Sequence, residues 1–375
     1  MKACVVLNYP LKNQIDVGHL DLLKIQFENM LNLFEKVYVL SPRDKNKYEG
    51  LFDERIKVIT VPHPLLYYPS LFLDIIYMLK LSLKEDIQVF RAMAPTSGFE
   101  VILVGKILKI PCIVSIHADR KLVEKVEGKK IIKSLFLDIF EPIVLKNANK
   151  IPVISRYIRD YVLKMGVSTE KIFYHPNFVN TNIFKPANEK LTNKKDKIEI
   201  IFVGRLSPVK GADIAIKALD YIREYSVLLR IIGSGEELEN LKKLTKKLNL
   251  NDKVMFHGRI SHEKELPDIL RNADIFVAPL TAGFSLIEAM SCGLAVVAGD
   301  IEWSREIVEN NRTGILVEPY NPKALAKGIK ILIEDPKLRK KLSINSRKLI
   351  IKKFSLEAWK KREIKIYKKV IWGDK

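Results

Sequence analysis

Short apolar runs alternate with longer amphipathic runs along almost the whole chain, and that alternation restricts the fold more than any other feature. In the first half the apolar runs fall at 5–7, 37–40, 56–61, 87–90, 111–116 and 151–154. Each has the length and β-branched content of a buried strand. Between them lie helix-like segments, notably 98–109, 131–147 and 156–165. Another starts at Leu20, where Leu20, Leu23, Phe27, Met30, Leu31 and Phe34 recur at three- and four-residue spacing. Residues 184–197 (FKPANEKLTNKKDK) break the rhythm with proline, asparagine and clustered charge. The alternation then restarts, with strands expected at 198–203, 227–232, 254–257, 274–278, 295–298 and 314–317. Helices are expected at 211–224, 236–248, 262–272, 284–292 and 321–334. Strand, helix, strand in repeated order implies parallel sheets covered on both faces. The fold class read from this is α/β, two doubly wound Rossmann-like domains. The first covers 1–183, the linker 184–197 and the second 198–354. A ligand site is expected at the C-terminal ends of strands, in a cleft between the domains.

Length and composition agree with that division. A chain of 375 residues is long for one core. Cys4, Cys112 and Cys292 stand singly in or beside apolar runs, so neither a disulfide framework nor a cysteine-based zinc site is expected. No run of about 18 apolar residues free of charge occurs, so no membrane-spanning helix is expected. The formal charge of +20 asks for an anionic partner. Residues 336–375 hold 15 Lys and Arg against 3 Asp and Glu. A solvated helix face and an anionic membrane surface are two readings of that excess. There is no aromatic-interleaved basic motif or zinc-finger spacing, and nucleic acid is not expected as a partner.

Four successive strand ends in the second half carry glycines and polar groups. The first is FVGRLSPVKG, where Gly204 permits a tight turn and Arg205 and Lys210 add two positive charges. Such charges suit a departing diphosphate, whose negative charge grows as its bond to a sugar breaks. The second is IIGSGEE, with Gly233 and Gly235, a weak signal on its own. The third is FHGRI, with Gly258, Arg259 and Ile260. The fourth is PLTAGFSLIEAMSCG, a strand end, a turn at Gly283 and a helix start through Phe284, Ser285 and Leu286 toward Glu288. A helix N-terminus leaves backbone N–H groups able to hold an anion.

Taken together, these segments resemble the donor domain of family 4 (GT4) retaining glycosyltransferases, of GT-B architecture. In the first half, IPVISRYI at 151–158 is similar to the segment that ends that family's acceptor domain, and HPNFVN at 175–180 stands where the family has P-N-G-V-D. The resemblance covers nearly the whole chain, and it implies a role for each matching residue. Arg205 and Lys210 bind the donor's diphosphate, Glu288 the ribose hydroxyls, and the Gly283–Leu286 amides the phosphates. The loop Gly258–Ile260 lies beside the base. Gly18 stands for the glycine loop facing the phosphates, and His117 for the histidine near the reacting sugar. A C-terminal helix, 355–372, is expected to cross back onto the first domain.

Three departures stand out. Leu280 occupies the position of a second glutamate, eight before Glu288. A single Gly18 replaces a common Gly-Gly pair, and Phe178 and Asn180 replace Gly and Asp. The activity implied is retaining, hexosyl-type transfer from a nucleotide diphosphate sugar, with UDP or GDP expected. The acceptor is a sugar or a lipid-linked glycan. No metal site and no cofactor are expected, because two basic side chains can do the work of a divalent ion. A cytoplasmic location is expected, with peripheral contact to an anionic membrane left open beside a buried-helix reading of 65–78. A sugar-nucleotide epimerase or hydrolase on the same fold, and a non-catalytic nucleotide-sugar-binding protein, remain as alternatives.

Overall fold

The computed structural model describes residues 1–16, 20–61, 67–119, 133–187, 197–281, 283–301 and 304–373, with backbone alone at 67–72 and 133–137. Thirteen strands occur among them. They are β1 (Lys2–Val6), β2 (Lys36–Pro42), β3 (Ile56–Val61), β4 (Ile87–Ala92), β5 (Cys112–Val114), β6 (Ile151–Val153) and β7 (Ile172–Tyr174). The series continues with β8 (Ile198–Val203), β9 (Val227–Ile232), β10 (Val254–Gly258), β11 (Ile275–Ala278), β12 (Ala295–Gly299) and β13 (Ile315–Val317). The chain divides into two compact units, Met1–Pro176 with Lys360–Lys375, and Asn177–Trp359.

The first unit holds a parallel sheet in the order β3-β2-β1-β4-β5. Single parallel bridges, Ile113 to Lys150 and Ile116 to Val153, bring the β6-β7 pair alongside β5. Successive residues of one strand feed opposite faces. Cys4 and Val6 join one core with Tyr38, Leu40 and Phe90, whereas Ala3 and Val5 join another with Val37, Val39 and Val89. A strand buried on both faces has no polar side to show, which is why β1 reads as an unbroken apolar run. The helix Leu20–Met30 lays Leu23, Phe27 and Met30 on the second of these cores. The strand β7 has no counterpart in the expectation. It is three residues long and only half-buried, so it lacks the apolar run that marks the others.

The second unit repeats the plan with the order β10-β9-β8-β11-β12-β13, all parallel. Ile200 and Phe202 face one core with Val277 and Val297; Ile201 faces the other with Phe276, Val296 and Ala298. The chain runs from β8 outward to β10, then returns to place β11 on the other side of β8. The point between β8 and β11 is where the winding reverses, the usual place for a ligand in such a sheet.

The boundary between units lies earlier than residue 183. Val179 N–H donates to the Phe354 carbonyl, Leu356 N–H donates to the Val179 carbonyl, and Phe184 is buried in the second unit's core. The first residues assigned to the linker thus belong to a folded unit, while 188–196 lie outside the described residues. Phe178, where the family has glycine, packs against Trp359 with ring centroids 4.6 Å apart and the rings tilted by 43°. The last helix, Leu356–Trp372, begins in the second unit, and its residues from Lys360 belong to the first. The C-terminal basic excess is therefore shared between the units instead of being concentrated on one. All three cysteines are buried and unpaired, and burial pushes each thiol up to about 12, so none is a reactive thiolate at neutral pH.

Candidate functional site

Leu206 is fully buried beyond the end of β8, and its anchoring turns the neighbouring Arg205 outward to solvent. The loop that carries them is locked to the next strand end. Leu206 N–H donates to the Ser234 carbonyl at 2.9 Å, and Gly204 N–H to the Ile232 carbonyl at 3.0 Å. Gly233 has φ +141°, and a Cβ there would stand 1.9 Å from the Gly204 carbonyl oxygen, so only glycine fits. Its own N–H donates to the Gly258 carbonyl at 2.8 Å. Three strand ends, at Gly204, Gly233 and Gly258, are thereby stitched side by side.

The fourth joins across the winding reversal. A short turn, Pro208–Lys210, carries Lys210 toward the start of the helix Phe284–Ser291, and its Nζ stands 4.0 Å from where a Cβ on Gly283 would lie. Gly283 has φ +61° and ψ −136°, a backbone state closed to most side chains, and it supplies no side-chain cap to the helix. An ammonium group beside an uncapped helix N-terminus makes a compact positive site. Ser285 and Leu286 are buried in the first turn, while Phe284 remains exposed.

Glu288, one turn further, is 4% exposed. Its Oε1 lies 2.8 Å from Nε2 of His262. Because an ionised carboxylate only accepts, the proton of this bond sits on Nε2. His262 also packs against the Phe184 ring, with centroids 5.4 Å apart. It follows Gly258, Arg259 and Ile260 in the loop after β10; Arg259 is exposed and Ile260 packs against the core. Sequence reasoning missed His262, whose only signal was its place two residues past that loop.

Leu280 is a core residue, 2% exposed, with its Cγ 2.9 Å from a Cβ built on Gly211. The position where the family has a carboxylate thus points into packed apolar surroundings. Among the described residues no group of three His, Cys, Asp or Glu is placed to hold a metal ion.

Of the first-half candidates, Gly18 lies outside the described residues. His117 lies in the first unit, two residues past the buried Ser115. By accessible surface His117 is exposed, while the Arg91, His175 and Glu363 charges act on its ring. Desolvation lowers its pKa, and the Arg91 charge adds to the effect. Nearby, Arg91 reaches the Glu363 carboxylate through Nη1, the Tyr367 hydroxyl at 3.0 Å and Ser115 Oγ at 3.1 Å. His175 Nε2 stands 2.6 Å from the other Glu363 oxygen. Burial opposes ionisation of Glu363, but the Arg91 charge outweighs it and holds the carboxyl well below the usual range. Burial lowers the His175 pKa, against the opposing pull of the Glu363 charge beside it. A lone acid on the Trp359, Glu363, Tyr367 stripe, spaced four apart, was the sequence signal for this cluster.

Comparison with known proteins adds independent findings. Residues 184–349 match the family model described as glycosyl transferases group 1, and residues 34–183 that of glycosyltransferase family 4. An uncharacterized glycosyltransferase of Methanocaldococcus jannaschii is 33% identical over 238 residues, which is 61% of this chain but 59% of that protein. A second from the same organism is 30% identical over 263 residues, 68% of each chain. Among solved structures, a glycosyltransferase from Rickettsia africae has a TM-score of 0.81 at 18% identity, covering 100% of this chain and 99% of its own. HepE of Anabaena, solved in complex with UDP, has a TM-score of 0.81 at 18% identity, covering 98% and 99%. At that identity the likeness concerns the fold, which is GT-B: two Rossmann-like α/β domains with parallel sheets.

Proposed function

Since this chain belongs to the glycosyltransferase group 1 family, we propose that it transfers a sugar from a nucleotide diphosphate donor to an acceptor hydroxyl, with retention at the anomeric carbon. The observation that carries the reading is the Lys210 ammonium set beside the uncapped, positive-φ start of the Phe284–Ser291 helix, at the point where the sheet's winding reverses. In this reading the donor's diphosphate takes that position. Lys210, Arg205 and the helix amides meet the charge that grows on it as the C1–oxygen bond breaks. Glu288 accepts from the ribose hydroxyls, and Gly258–Ile260 lies beside the base. His117 keeps its proposed role at the reacting sugar, and a neutral imidazole suits hydrogen bonding to sugar hydroxyls. UDP-hexoses are the first donors to test, since the HepE structure holds UDP.

Two fixed cations do for the diphosphate what a divalent ion does elsewhere, so the reaction is proposed to need no metal. Turnover is expected to survive saturating chelator; loss of activity with rescue by magnesium or manganese would overturn this. Lys210→Ala is expected to lower kcat/KM by roughly a hundredfold or more, with an unchanged melting temperature. A near-wild-type rate would place the site elsewhere. Donor binding with no transfer to any sugar or lipid-linked acceptor would favour the non-catalytic reading instead.

A cytoplasmic enzyme working at the membrane surface on a lipid-linked acceptor is the proposed setting. No described helix is long and apolar enough to cross a membrane. The helices Tyr67–Lys84, Gly98–Leu108 and Lys133–Asn147 expose Leu83 (81%), Ile107, Ile139 and Ile143, with Lys84 and Lys106 on the same helices. Exposed aliphatics with lysines match an anionic interface. Co-sedimentation with anionic vesicles, weakened by salt and by Leu83→Ser/Ile107→Ser, is expected; no binding at low salt would refute it.

A further inference from the structure

Glu288 reaches the site from the interior, and a nearly buried carboxylate on a helix has few ways to hold one rotamer. Its partner is His262, whose side chain is 59% exposed. The imidazole comes from the loop between β10 and the helix Leu266–Asn272, and that loop is a closed turn. Ser261 N–H donates to Glu265 Oε2 at 2.7 Å, and the Glu265 and Leu266 N–H groups both donate to the Ser261 carbonyl at 3.1 Å. Phe184, buried in the core, supports one side of the ring. His262 is thus held by packing and by its own turn, and its Nε2–H is aimed at Oε1.

We propose that His262 is a positioning residue for ribose recognition: it orients the Glu288 carboxylate toward a vicinal diol and ties that carboxylate to the loop that borders the base. The proposal rests on the reading of Glu288 as the ribose ligand. Each carboxylate oxygen has two lone pairs, so Oε1 can accept from His262 and from one ribose hydroxyl while Oε2 accepts from the other. Without the imidazole, a free carboxylate must be ordered by the nucleotide itself, and the entropy of that ordering weakens binding. The loss falls on ligands that engage the diol. It spares ligands bound through diphosphate and base alone.

The test is calorimetric titration of the full chain with UDP and GDP and with their 2′,3′-dideoxy counterparts, which keep base and diphosphate but lack both hydroxyls. Wild type is expected to prefer the ribonucleotide by about tenfold. Glu288→Gln is expected to reduce that preference, and His262→Ala to weaken ribonucleotide binding five- to tenfold while changing the 2′,3′-dideoxy affinity less than about twofold. His262→Gln, which keeps an N–H donor, is expected to recover part of the loss. Because the His262 side chain is exposed, the His262 variants should melt with wild type. Equal loss for both sugars, or no loss, overturns the positioning role alone. If wild type binds neither nucleotide, or Glu288→Gln leaves the preference intact, the ribose reading fails and this inference with it.

Discussion

Replacing Glu363 by glutamine would remove one negative charge from a site where Arg91 is 6% exposed and, among the described residues, is otherwise bonded to the Tyr367 and Ser115 hydroxyls. Glutamine keeps the volume and one acceptor, so what is lost is the charge that offsets a buried guanidinium. Breaking one side of such a pair costs roughly 3–5 kcal/mol. For a unit of this size, about 2–4 °C of melting temperature goes with each kcal/mol, so the first unit's transition should fall by about 10 °C in scanning calorimetry. The double variant Arg91→Met/Glu363→Met removes both charges and should be much less destabilised than Glu363→Gln. The effect also has a definite pH signature. Glu363 titrates near 2 in the folded protein and near 4.5 unfolded, so its contribution is complete above about pH 4.5 and is lost as pH falls toward 2. The gap between wild type and Glu363→Gln should therefore narrow between pH 5 and pH 3. A gap under about 2 °C at pH 7, or one insensitive to acid, would refute the reasoning.

The opposite sign is expected at Glu100. Burial pushes it up to about 8, next to Asp74, which burial pushes up to about 7. Folding with these groups protonated is fully favourable below about pH 4 and loses ground as pH rises through 7 to 8. Glu100→Gln should match wild type in melting temperature at pH 4.5 and exceed it by a few degrees (about 1–3 kcal/mol) at pH 8; a constant difference across that range would refute this. Leu280→Glu, which restores the family's carboxylate on paper, should destabilise the second unit by about 3 kcal/mol or more, because it puts an unpaired charge in the core. Unchanged stability with faster turnover would show that the side chain can face the donor.

Much of the architecture was readable in advance. Runs such as IIFV (200–203) and AVVA (295–298) are apolar at every position because a parallel strand covered on both faces has no wet side. Helix starts after them followed from spacing, and the four glycine-bearing strand ends followed from where the strands stop. What failed at the boundary failed for a local reason: FKPAN looks like a linker, but Phe184 finds a core that lies far along the chain.

The sequence by itself therefore determined the two α/β domains and the group of loops that carries Arg205, Lys210, Gly283 and Glu288, since these depend on periodicity and on short-range turns. Only the tertiary structure decided which side chains meet. Arg91 and Glu363 are 272 positions apart, Glu288 and His262 are 26 apart on different elements, and Leu280 faces the core instead of the site. A side chain's direction and partner are set by the packing of whole elements, and neither composition nor spacing carries that information.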